Sequence, residues 1–455
     1  MAMNFERIRG KLSAPRLLSV VRKAFGGIGD HRKDSNKRAS MPDALMSALA
    51  MFSLKFPSLL KFDEAREEEH IRHNLHHLYG VEWAPSDSQM RDILDPVPPS
   101  AIHPAYREIF AIIKKTNILE KFHFLGNSIL VSIDGTGQFS SSKVCCPECA
   151  TKTTRSGETQ YYHQLLGAVI VHPNQRQVIP LIPEPILRAD GDTKNDCERN
   201  AAKRLLIRLK EDEPESSFIV VEDALAANGP HINLLNELGF SYIIGVKEGD
   251  HTHLFEAVDM HEENETMGGL TQYDEKNKVL RVYRFVNDLS LNKSHPDLMV
   301  NFLEYFELKN GKVRCRFTWV TDLVITEENC VAIARGGRSR WKIENETFNA
   351  LKNQGYHLEH NYGHGKQHLA TNFALLTMLA FLIDQVQESA DLQFQKARQR
   401  FRSRTSLWER MRSLFVGFFI TGWDTFWQAI IHGHHVPKLV PKLEPKRDIV
   451  PNNTS

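Results

Sequence analysis

Two short apolar runs, each ending in an aspartate, dominate the hydrophobic pattern of the middle of the chain. Residues 128–134 have the sequence Ser-Ile-Leu-Val-Ser-Ile-Asp, and residues 217–223 have Ser-Phe-Ile-Val-Val-Glu-Asp. The continuous apolar stretch in the second run is typical of a strand that is buried on both faces. Ligands of open α/β sheets gather at the carboxyl ends of the strands. The pattern therefore predicts that Asp134 and Asp223 each end a strand at a ligand-binding edge.

A third acidic residue is predicted on a helix, in the segment Arg340-Trp341-Lys342-Ile343-Glu344-Asn345-Glu346. At about 100° per residue, Glu344 falls on the apolar half of the helix and Glu346 on the polar half. The apolar half also holds Trp341, Ile343, Thr347, Phe348, Ala350 and Leu351. A carboxylate that faces the core needs a partner. Arg340, one turn earlier, could supply it as a structural ion pair, but the two aspartates favour a shared metal site.

Three carboxylates from distant parts of the chain suit a site that holds two divalent ions, Mg²⁺ or Mn²⁺, on oxygen ligands. Such a site carries out phosphoryl transfer on nucleic acid. The acidic residues Asp190, Asp192 and Asp196 are rivals for metal binding, but their positions favour capping of the helix that follows.

Changes in periodicity divide the chain into three predicted segments. Residues 1–125 are helical, with Ser40 and Ser86 or Ser88 as helix caps. Residues 126–390 have an α/β pattern, interrupted at about 249–323 by β-rich sequence in which Asn310-Gly311 predicts a hairpin turn. Residues 391–455 form a basic helical region with a disordered tail after Pro437. The α/β order, three strands and then alternating helix and strand, suits a ribonuclease-H-like mixed sheet flanked by helices and also fits other mixed α/β folds.

The order Asp, Asp, Glu, with Arg-Trp-x-Ile-Glu as its last element, resembles the DDE transposases of bacterial insertion sequences. The similarity extends over roughly residues 125–385, and it includes the segments Ser-Ile-Asp-Gly-Thr, Glu-Asp-Ala-Leu-Ala-Ala-Asn-Gly-Pro-His and Trp-Lys-Ile-Glu-Asn-Glu-Thr-Phe-Asn-Ala-Leu-Lys-Asn-Gln-Gly-Tyr. The resemblance implies a ribonuclease-H-like core in which Asp134, Asp223 and Glu344 are the catalytic and metal-binding triad. It also implies that the β-rich insertion lines a DNA channel.

The sequence departs from the better-known signature of this superfamily at two positions. The signature has a tyrosine three residues before the arginine, where this chain has Gly337, and a lysine seven residues after the glutamate, where it has Leu351. The lysine role passes to Lys352, one position later. Arg340 and Lys352 are candidates for phosphate contact or for positioning the glutamate. His360 and His364, in the histidine-rich and glycine-rich segment after the helix, are further candidates for DNA contact.

The charge distribution adds double-stranded DNA as a predicted partner. The net charge is only +1, but residues 1–40 carry ten Lys and Arg against three Asp and Glu, and residues 396–412 carry seven against one. Separate basic segments suit a protein that holds a duplex at several points. The helices between residues 40 and 95 suit either a helix-turn-helix or a small bundle. The expected DNA is the terminal repeats of the element and its target, held by a homodimer.

The cysteines predict a second, smaller site. Cys146 and Cys149 form a Cys-x-x-Cys pair, and His163 follows in the next predicted strand. A Cys-x-x-Cys pair supplies half of a tetrahedral zinc site, and Cys145, His163 and His172 are the candidates for the other half. Reduced cysteines in an ordinary turn would have the same spacing, and that interpretation is favoured. Six cysteines in 455 residues do not indicate a disulfide framework.

The sequence thus predicts a cytoplasmic, nucleoid-associated DNA transposase without a membrane span, which cleaves strands and transfers them. Two alternatives remain: a catalytically silent DNA-binding regulator derived from a transposase, and a ribonuclease-H-like nuclease that does not join strands. The intact acidic triad argues against the regulator, and only an assay of products separates the nuclease.

Overall fold

The computed structural model describes residues 12–33, 38–191, 194–433 and 440–441. It divides into two compact units, one made of residues 1–116 and 351–455 and the other of residues 117–350. This division differs from the three predicted segments, because residues 351–455 group with the N-terminal helices. Each unit is described below by itself.

The N-terminal part of the first unit is helical, as predicted. Its helices are α1 (Ala14–Phe25), α2 (Met41–Ser53), α3 (Leu59–Arg66), α4 (Glu69–Tyr79), α5 (Asp87–Leu94) and α6 (His103–Lys114). The Ser40 hydroxyl accepts a hydrogen bond from the backbone N–H of Asp43, and Ser86 forms a capping box with Gln89. Both predicted N-caps are therefore confirmed, with Ser86 rather than Ser88 at the second position.

The second unit is built on one large sheet. Its strands are β1 (His123–Phe124), β2 (Ser128–Ser141), β3 (Ala150–Thr153), β4 (Thr159–Val171), β5 (Ile179–Pro180), β6 (Glu184–Ile186), β7 (Phe218–Glu222), β8 (Ser241–Gly245), β9 (Gly268–Asp274), β10 (Val279–Asn292), β11 (His295–Lys309) and β12 (Lys312–Thr321). The order is β3-β4-β2-β7-β8-β12-β11-β10-β9, with β1 on β2 and with β5 and β6 on β4.

The sheet is mixed. β2 runs antiparallel to β4 but parallel to β7, and β7 runs parallel to β8. The helices of this unit are α7 (Lys194–Asp212), α8 (Gly229–Leu238), α9 (Thr252–Glu263) and α10 (Cys330–Arg338), followed by a π-helix at Ile343–Phe348. Because α7 and α8 follow β6 and β7, parallel strands are joined through helices, as parallel pairing requires. The prediction of a mixed α/β sheet flanked by helices is confirmed.

The predicted β-rich insertion is continuous with this sheet. β12 pairs antiparallel with β8, and β11, β10 and β9 extend the sheet from there. Asn310 and Gly311 have φ angles of 53° and 73°, and their neighbours Lys309 and Lys312 pair directly. Positive φ at both central residues is what a tight hairpin turn of this kind needs, so the predicted hairpin is confirmed.

The C-terminal part of the first unit is also helical. It contains α11 (Asn349–Asn353, which spans the boundary between the units), α12 (Leu369–Ala390), α13 (Leu392–Arg400), α14 (Arg404–Gly417) and α15 (Trp423–His432). Two short strands, β13 (Phe418–Phe419) and β14 (Val440–Pro441), pair antiparallel. The predicted disordered tail after Pro437 therefore includes one strand, and the rest of that tail lies outside the described residues.

Helix α12 is the core of the helical unit. It is long and apolar enough to cross a membrane by length and composition, with a mean hydropathy of 1.6, but 94% of that window is buried inside the protein. Lys55, at the end of α2, forms a buried ion pair with Asp384 of α12 at 2.5 Å, and the Tyr356 hydroxyl donates to the same carboxylate. These contacts are those of a core helix in a folded unit.

Candidate functional site

Asp134 lies within a strand rather than at its end. β2 continues for seven residues beyond Asp134, to Ser141, and pairs with β4 along that length, with Asp134 opposite Gly167. The parallel pairing with β7, however, stops at Ser132 opposite Val221. The prediction that Asp134 ends its strand is wrong. Asp134 does, however, lie two residues beyond the last parallel pair between β2 and β7.

Asp223 follows β7 directly, as predicted. Its carboxylate accepts a hydrogen bond from the backbone N–H of Leu225 at 2.9 Å and caps a short 3₁₀ turn. Since Ser132 is opposite Val221 in the parallel pair, Asp134 and Asp223 stand two residues further along adjacent strands. The two aspartates therefore emerge at the same edge of the sheet.

Glu344 is connected to Asp134 through Arg340. The Arg340 guanidinium binds Asp134 Oδ2 at 3.2 Å and Glu344 Oε1 at 2.5 Å. The predicted Arg340–Glu344 ion pair is thus present, but it includes the first aspartate as well. Asp134 and Glu344 therefore share the Arg340 guanidinium, and Asp223 directly follows the neighbouring strand β7.

The predicted burial of the two glutamates is wrong. The side chain of Glu344 is 48% exposed, whereas that of Glu346 is 19% exposed and lies 3.6 Å from Arg176. The prediction assumed the rotation of an α-helix, but residues 343–348 form a π-helix, whose wider turn changes which side chains share a face. Trp341, expected in the core, is also exposed.

Packing against the sheet fixes this helix next to Asp134. The ring of Phe348 lies over Gly167, the residue opposite Asp134, and a Cβ at that position would come within 2.9 Å of the ring. The Ser132 hydroxyl of β2 donates to the backbone carbonyl of Arg340 at 3.1 Å. The lack of a side chain at Gly167 therefore lets the π-helix that carries Glu344 sit directly on the strands, with Arg340 in the turn before it.

The electrostatics of Asp134 reflect this crowding. Burial raises its pKa to about 6, which Arg340 and the backbone N–H of Gly135 oppose and the charges of Glu344 and Asp223 reinforce. Glu344 and Asp223 both act on Asp134, so the three carboxylates are electrostatically coupled. A buried carboxylate whose charged form is disfavoured by neighbouring acids is an arrangement that bound cations relieve.

A cleft of about 200 Å³ opens beside the two aspartates and contains polar residues that the sequence pattern did not mark. Glu198 of α7 lies beside Gly135, where a Cβ would come within 3.0 Å of its carboxylate, and His231 of α8 bonds Glu222 at 2.6 Å. Burial lowers the pKa of His231, but the charge of Glu222 and the hydrogen bond to it raise the pKa overall. The sequence signal was available for Glu222, which precedes Asp223, but not for Glu198, which the fold alone brings to the cleft.

Asp223 also lines a second and larger cleft, of about 590 Å³. Its lining includes cations and aromatic rings: Lys247, Arg316, Arg338, Arg340, Phe317, Trp319 and Trp341. The indole of Trp319 packs on Gly337, where a Cβ would come within 2.6 Å of the ring. No side chain fits at Gly337, the position at which the transposase signature has tyrosine, because the indole of Trp319 occupies that space.

The remaining predicted contact residues, Lys352, His360 and His364, differ in their exposure and in their partners. Lys352 forms an ion pair with Glu359 at 2.7 Å. His360 is exposed and packs edge-on against Tyr362, whereas His364 is buried, with its pKa lowered by that burial. His360 therefore stays a candidate for DNA contact, and burial makes His364 a poor one.

Several of the predicted DNA-binding cations have structural roles. In the segment 396–412, Arg398 and Arg404 both bind Glu388, and Arg412 donates to the carbonyl of Lys55. In the N-terminal segment, Arg16 and Lys23 of α1 are exposed. Helix α2 is buried at every residue except Pro42, so it cannot enter a DNA groove. Part of the N-terminal basic segment, residues 1–11 and 34–37, lies outside the described residues.

Two cysteines and a histidine lie together beside the part of the β2–β4 pair that extends beyond Asp134. The Nε2 atom of His163 is 3.3 Å from both Cys146 Sγ and Cys149 Sγ, and the two sulfur atoms are 3.9 Å apart. This Cys/His cluster could hold a metal ion. Of the rival acidic residues, Asp190 binds Arg204, while Asp192 and the side chain of Asp196 lie outside what the structure describes.

Comparison with known proteins adds no family. No family model matches the sequence, and no curated protein matches it.

Proposed function

We propose that this chain is a DDE-type DNA transposase that cleaves and joins DNA strands at the site formed by Asp134, Asp223 and Glu344. The observation that carries the proposal is the coupling of the three acids. They are separated by 89 and 121 residues in the sequence, yet Glu344 and Asp223 both raise the pKa of Asp134. A purely structural ion pair between Arg340 and Glu344 has no need of either aspartate.

The sheet supports a ribonuclease-H-like assignment of the core. The central order is β5 and β6, then β4, β2, β7 and β8, with antiparallel strands first and two parallel strands, joined through helices, after them. This is the predicted order of three strands followed by alternating helix and strand, which suits a ribonuclease-H-like sheet and also fits other mixed α/β folds. In this sheet, Asp134 lies in the central strand β2 and Asp223 directly follows the adjacent strand β7.

The residues at the site fit two divalent cations, Mg²⁺ or Mn²⁺, as cofactors. All three are hard oxygen donors, and they carry three formal negative charges, of which Arg340 offsets one. When bound, such ions would activate the attacking oxygen and stabilise the leaving oxygen of a displacement at phosphorus. Asp134, Asp223 and Glu344 would hold them. Arg340, which binds two of these carboxylates, positions Glu344 and is a candidate for contact with the scissile phosphate.

The large cleft beside Asp223 supports a nucleic-acid substrate. It is lined by Lys247, by Arg316 and Arg338, which also pair with Glu304 and Glu307, and by the exposed rings of Phe317 and Trp341. Arginine or lysine combined with exposed aromatic rings is the usual composition of a nucleic-acid groove.

The test is a cleavage and strand-transfer assay with purified full-length protein on DNA that carries the flanking repeats of its own element. We expect Mg²⁺-dependent cleavage, and joining of the freed 3′-end to target DNA. Asp134→Asn, Asp223→Asn and Glu344→Gln should each reduce cleavage by a factor on the order of 10³ or more, with binding to the ends retained. Glu346→Gln, on the same helix, is the matched control and should retain activity.

The products separate the alternatives. Cleavage without joined product would indicate a ribonuclease-H-like nuclease. Specific binding to the ends without cleavage at any divalent ion would indicate a regulator derived from a transposase. Loss of activity in Glu346→Gln with retention in Glu344→Gln would refute the assignment of the third acid.

A further inference from the structure

We infer that Cys146, Cys149 and His163 bind a structural zinc ion that ties the loop after β2 to β4. This site is separate from the acidic site, and the inference does not rest on the proposed function. Its basis is the geometry of three ligand atoms that come from a turn and from a strand.

The distances between the three atoms are those of a tetrahedral zinc site. With Zn–S near 2.3 Å and Zn–N near 2.0 Å, tetrahedral angles place two sulfur atoms about 3.8 Å apart and a sulfur and a nitrogen about 3.5 Å apart. The observed separations are 3.9 Å between the sulfurs and 3.3 Å from each sulfur to the histidine nitrogen. The three atoms therefore surround a point at which one zinc ion fits.

Neither a disulfide nor a set of thiol hydrogen bonds accounts for these contacts as well as a metal ion does. A disulfide needs sulfur atoms about 2.05 Å apart, so the cysteines are reduced. A single ring nitrogen carries either one proton or one lone pair, so it cannot make a good hydrogen bond with both thiols at once. One cation between two thiolates and a neutral imidazole satisfies all three groups.

The local backbone supports thiolate ligands. Cys146-Pro147-Glu148-Cys149 forms a turn in which the Cys149 N–H donates to the carbonyl of Cys146 at 3.1 Å. The backbone N–H of Cys146 in turn lies 3.4 Å from Cys149 Sγ and donates to it. Donors aimed at a sulfur stabilise its negative charge, as they do around metal-bound thiolates.

The position of the cluster indicates what the ion would do. His163 pairs with Phe139 in the extension of β2 beyond Asp134, and the cysteines lie in the loop that joins β2 to β3. Zinc would therefore fix the far end of the strand pair that carries Asp134. A fourth ligand, either water or another residue of the chain, would complete the tetrahedron.

The first measurement needs no variant. Full-length protein is produced with a tag that lacks histidine, in medium supplemented with zinc, and its metal content is measured after gel filtration. We expect about one zinc per chain, and X-ray absorption should show two sulfur ligands with nitrogen or oxygen in the other positions. Protein that folds with less than about a tenth of a zinc per chain, or with a Cys146–Cys149 disulfide, would overturn the inference.

Matched variants assign the ligands. Cys146→Ser, Cys149→Ser and His163→Ala should each lose most of the zinc. Cys145→Ser and Cys315→Ser should keep it, because Cys145 is exposed and Cys315 lies on β12. Equal loss of zinc in these control variants would contradict the assignment. Circular dichroism confirms that each variant is folded, and Asp134→Asn should retain full zinc, which separates this site from the acidic one.

Discussion

The protein contains two clusters of charged groups that differ in balance and in exposure. In the helical unit, Lys55 and Asp384 are 1% and 7% exposed and form a neutral pair, with the Tyr356 hydroxyl and the Ser53 carbonyl as further partners. In the α/β unit, Asp134, Asp223 and Glu344 carry three negative charges against the one of Arg340, and Glu344 is half exposed. The charges of the first cluster cancel and its side chains are buried, whereas the second cluster has a surplus of negative charge and is partly exposed to solvent.

This difference distinguishes a structural cluster from one built for a ligand. Burial lowers the pKa of Lys55 and raises that of Asp384, while their mutual attraction opposes both shifts. Removal of either partner would leave an uncompensated buried charge. At Asp134, by contrast, burial and, to a smaller extent, the neighbouring acids disfavour the charged carboxylate, and a bound cation would relieve this penalty. Mutations in the two clusters should therefore change stability in opposite directions.

The largest effect on stability is expected from Lys55→Met. It leaves Asp384 buried without its cation and should lower the free energy of unfolding by about 3 to 5 kcal/mol. Urea denaturation followed by tryptophan fluorescence measures it, since Lys55 Nζ lies 4.0 Å from the ring of Trp408. The double variant Lys55→Met/Asp384→Leu should recover most of the loss. A small effect of the single variant would mean that Lys55 and Asp384 do not form an ion pair shielded from water.

Asp134→Asn should have the opposite effect in the absence of metal. Its pKa is raised from 3.8 to about 6 in the folded protein, so its charged form destabilises the fold. This penalty is absent below about pH 4, where the group is protonated in both states, grows between pH 4 and 6, and is complete above pH 6. In EDTA at pH 7.5 the variant should gain roughly 2 to 3 kcal/mol.

Two controls make this prediction specific. The gain should disappear at pH 4, and Asp259→Asn, at an exposed position on α9, should change stability little at either pH. Addition of Mg²⁺ should raise the melting temperature of the wild type but not that of Asp134→Asn. A variant that is less stable than the wild type in EDTA would show that Asp134 is held by structural contacts alone.

The sequence predicted the elements of both units better than the details of the acidic site. The helix caps at Ser40 and Ser86 and the Asn310-Gly311 hairpin depend on local chemistry, which a sequence displays directly. The extension of β2 beyond Asp134 depends on pairing with β4. Its residues, Gly-Thr-Gly-Gln-Phe-Ser-Ser, show no apolar alternation that would reveal a strand.

The π-helix at residues 343–348 is hidden from a periodicity argument for a different reason. An assumed rotation of 100° per residue assigns every later side chain to a face, so a single wider turn reverses the expected burial of Glu344 and Glu346. The Arg340–Glu344 ion pair was nevertheless predicted, because a separation of four residues spans about one turn. Its connection to Asp134 is tertiary, and it depends on Gly167 in β4, which no pattern marked.

The smallest of the expected effects tests this connection at Gly167. In Gly167→Ala the new Cβ would lie 2.9 Å from the ring of Phe348, so the ring and its helix must shift. Overpacking of this size costs about 1 to 3 kcal/mol. If the shift moves Glu344 away from Asp134, the stabilisation by Mg²⁺ should weaken as well, which a loss of packing alone would not cause.

Gly137→Ala is the matched control, because Gly137 lies on the neighbouring strand β2 and no atom comes within 4 Å of a Cβ placed there. It should leave both the melting temperature and the response to Mg²⁺ near wild-type values. Replacing the Phe348 ring with the smaller leucine side chain should relieve the clash. The loss of stability caused by Gly167→Ala should therefore be smaller in the Phe348→Leu background than in the wild type. Strictly additive costs in this cycle, with an unchanged response to Mg²⁺, would indicate that the contact between Phe348 and Gly167 does not position Glu344. The acidic site would then depend on Arg340 and on the hydrogen bond from Ser132 for its alignment.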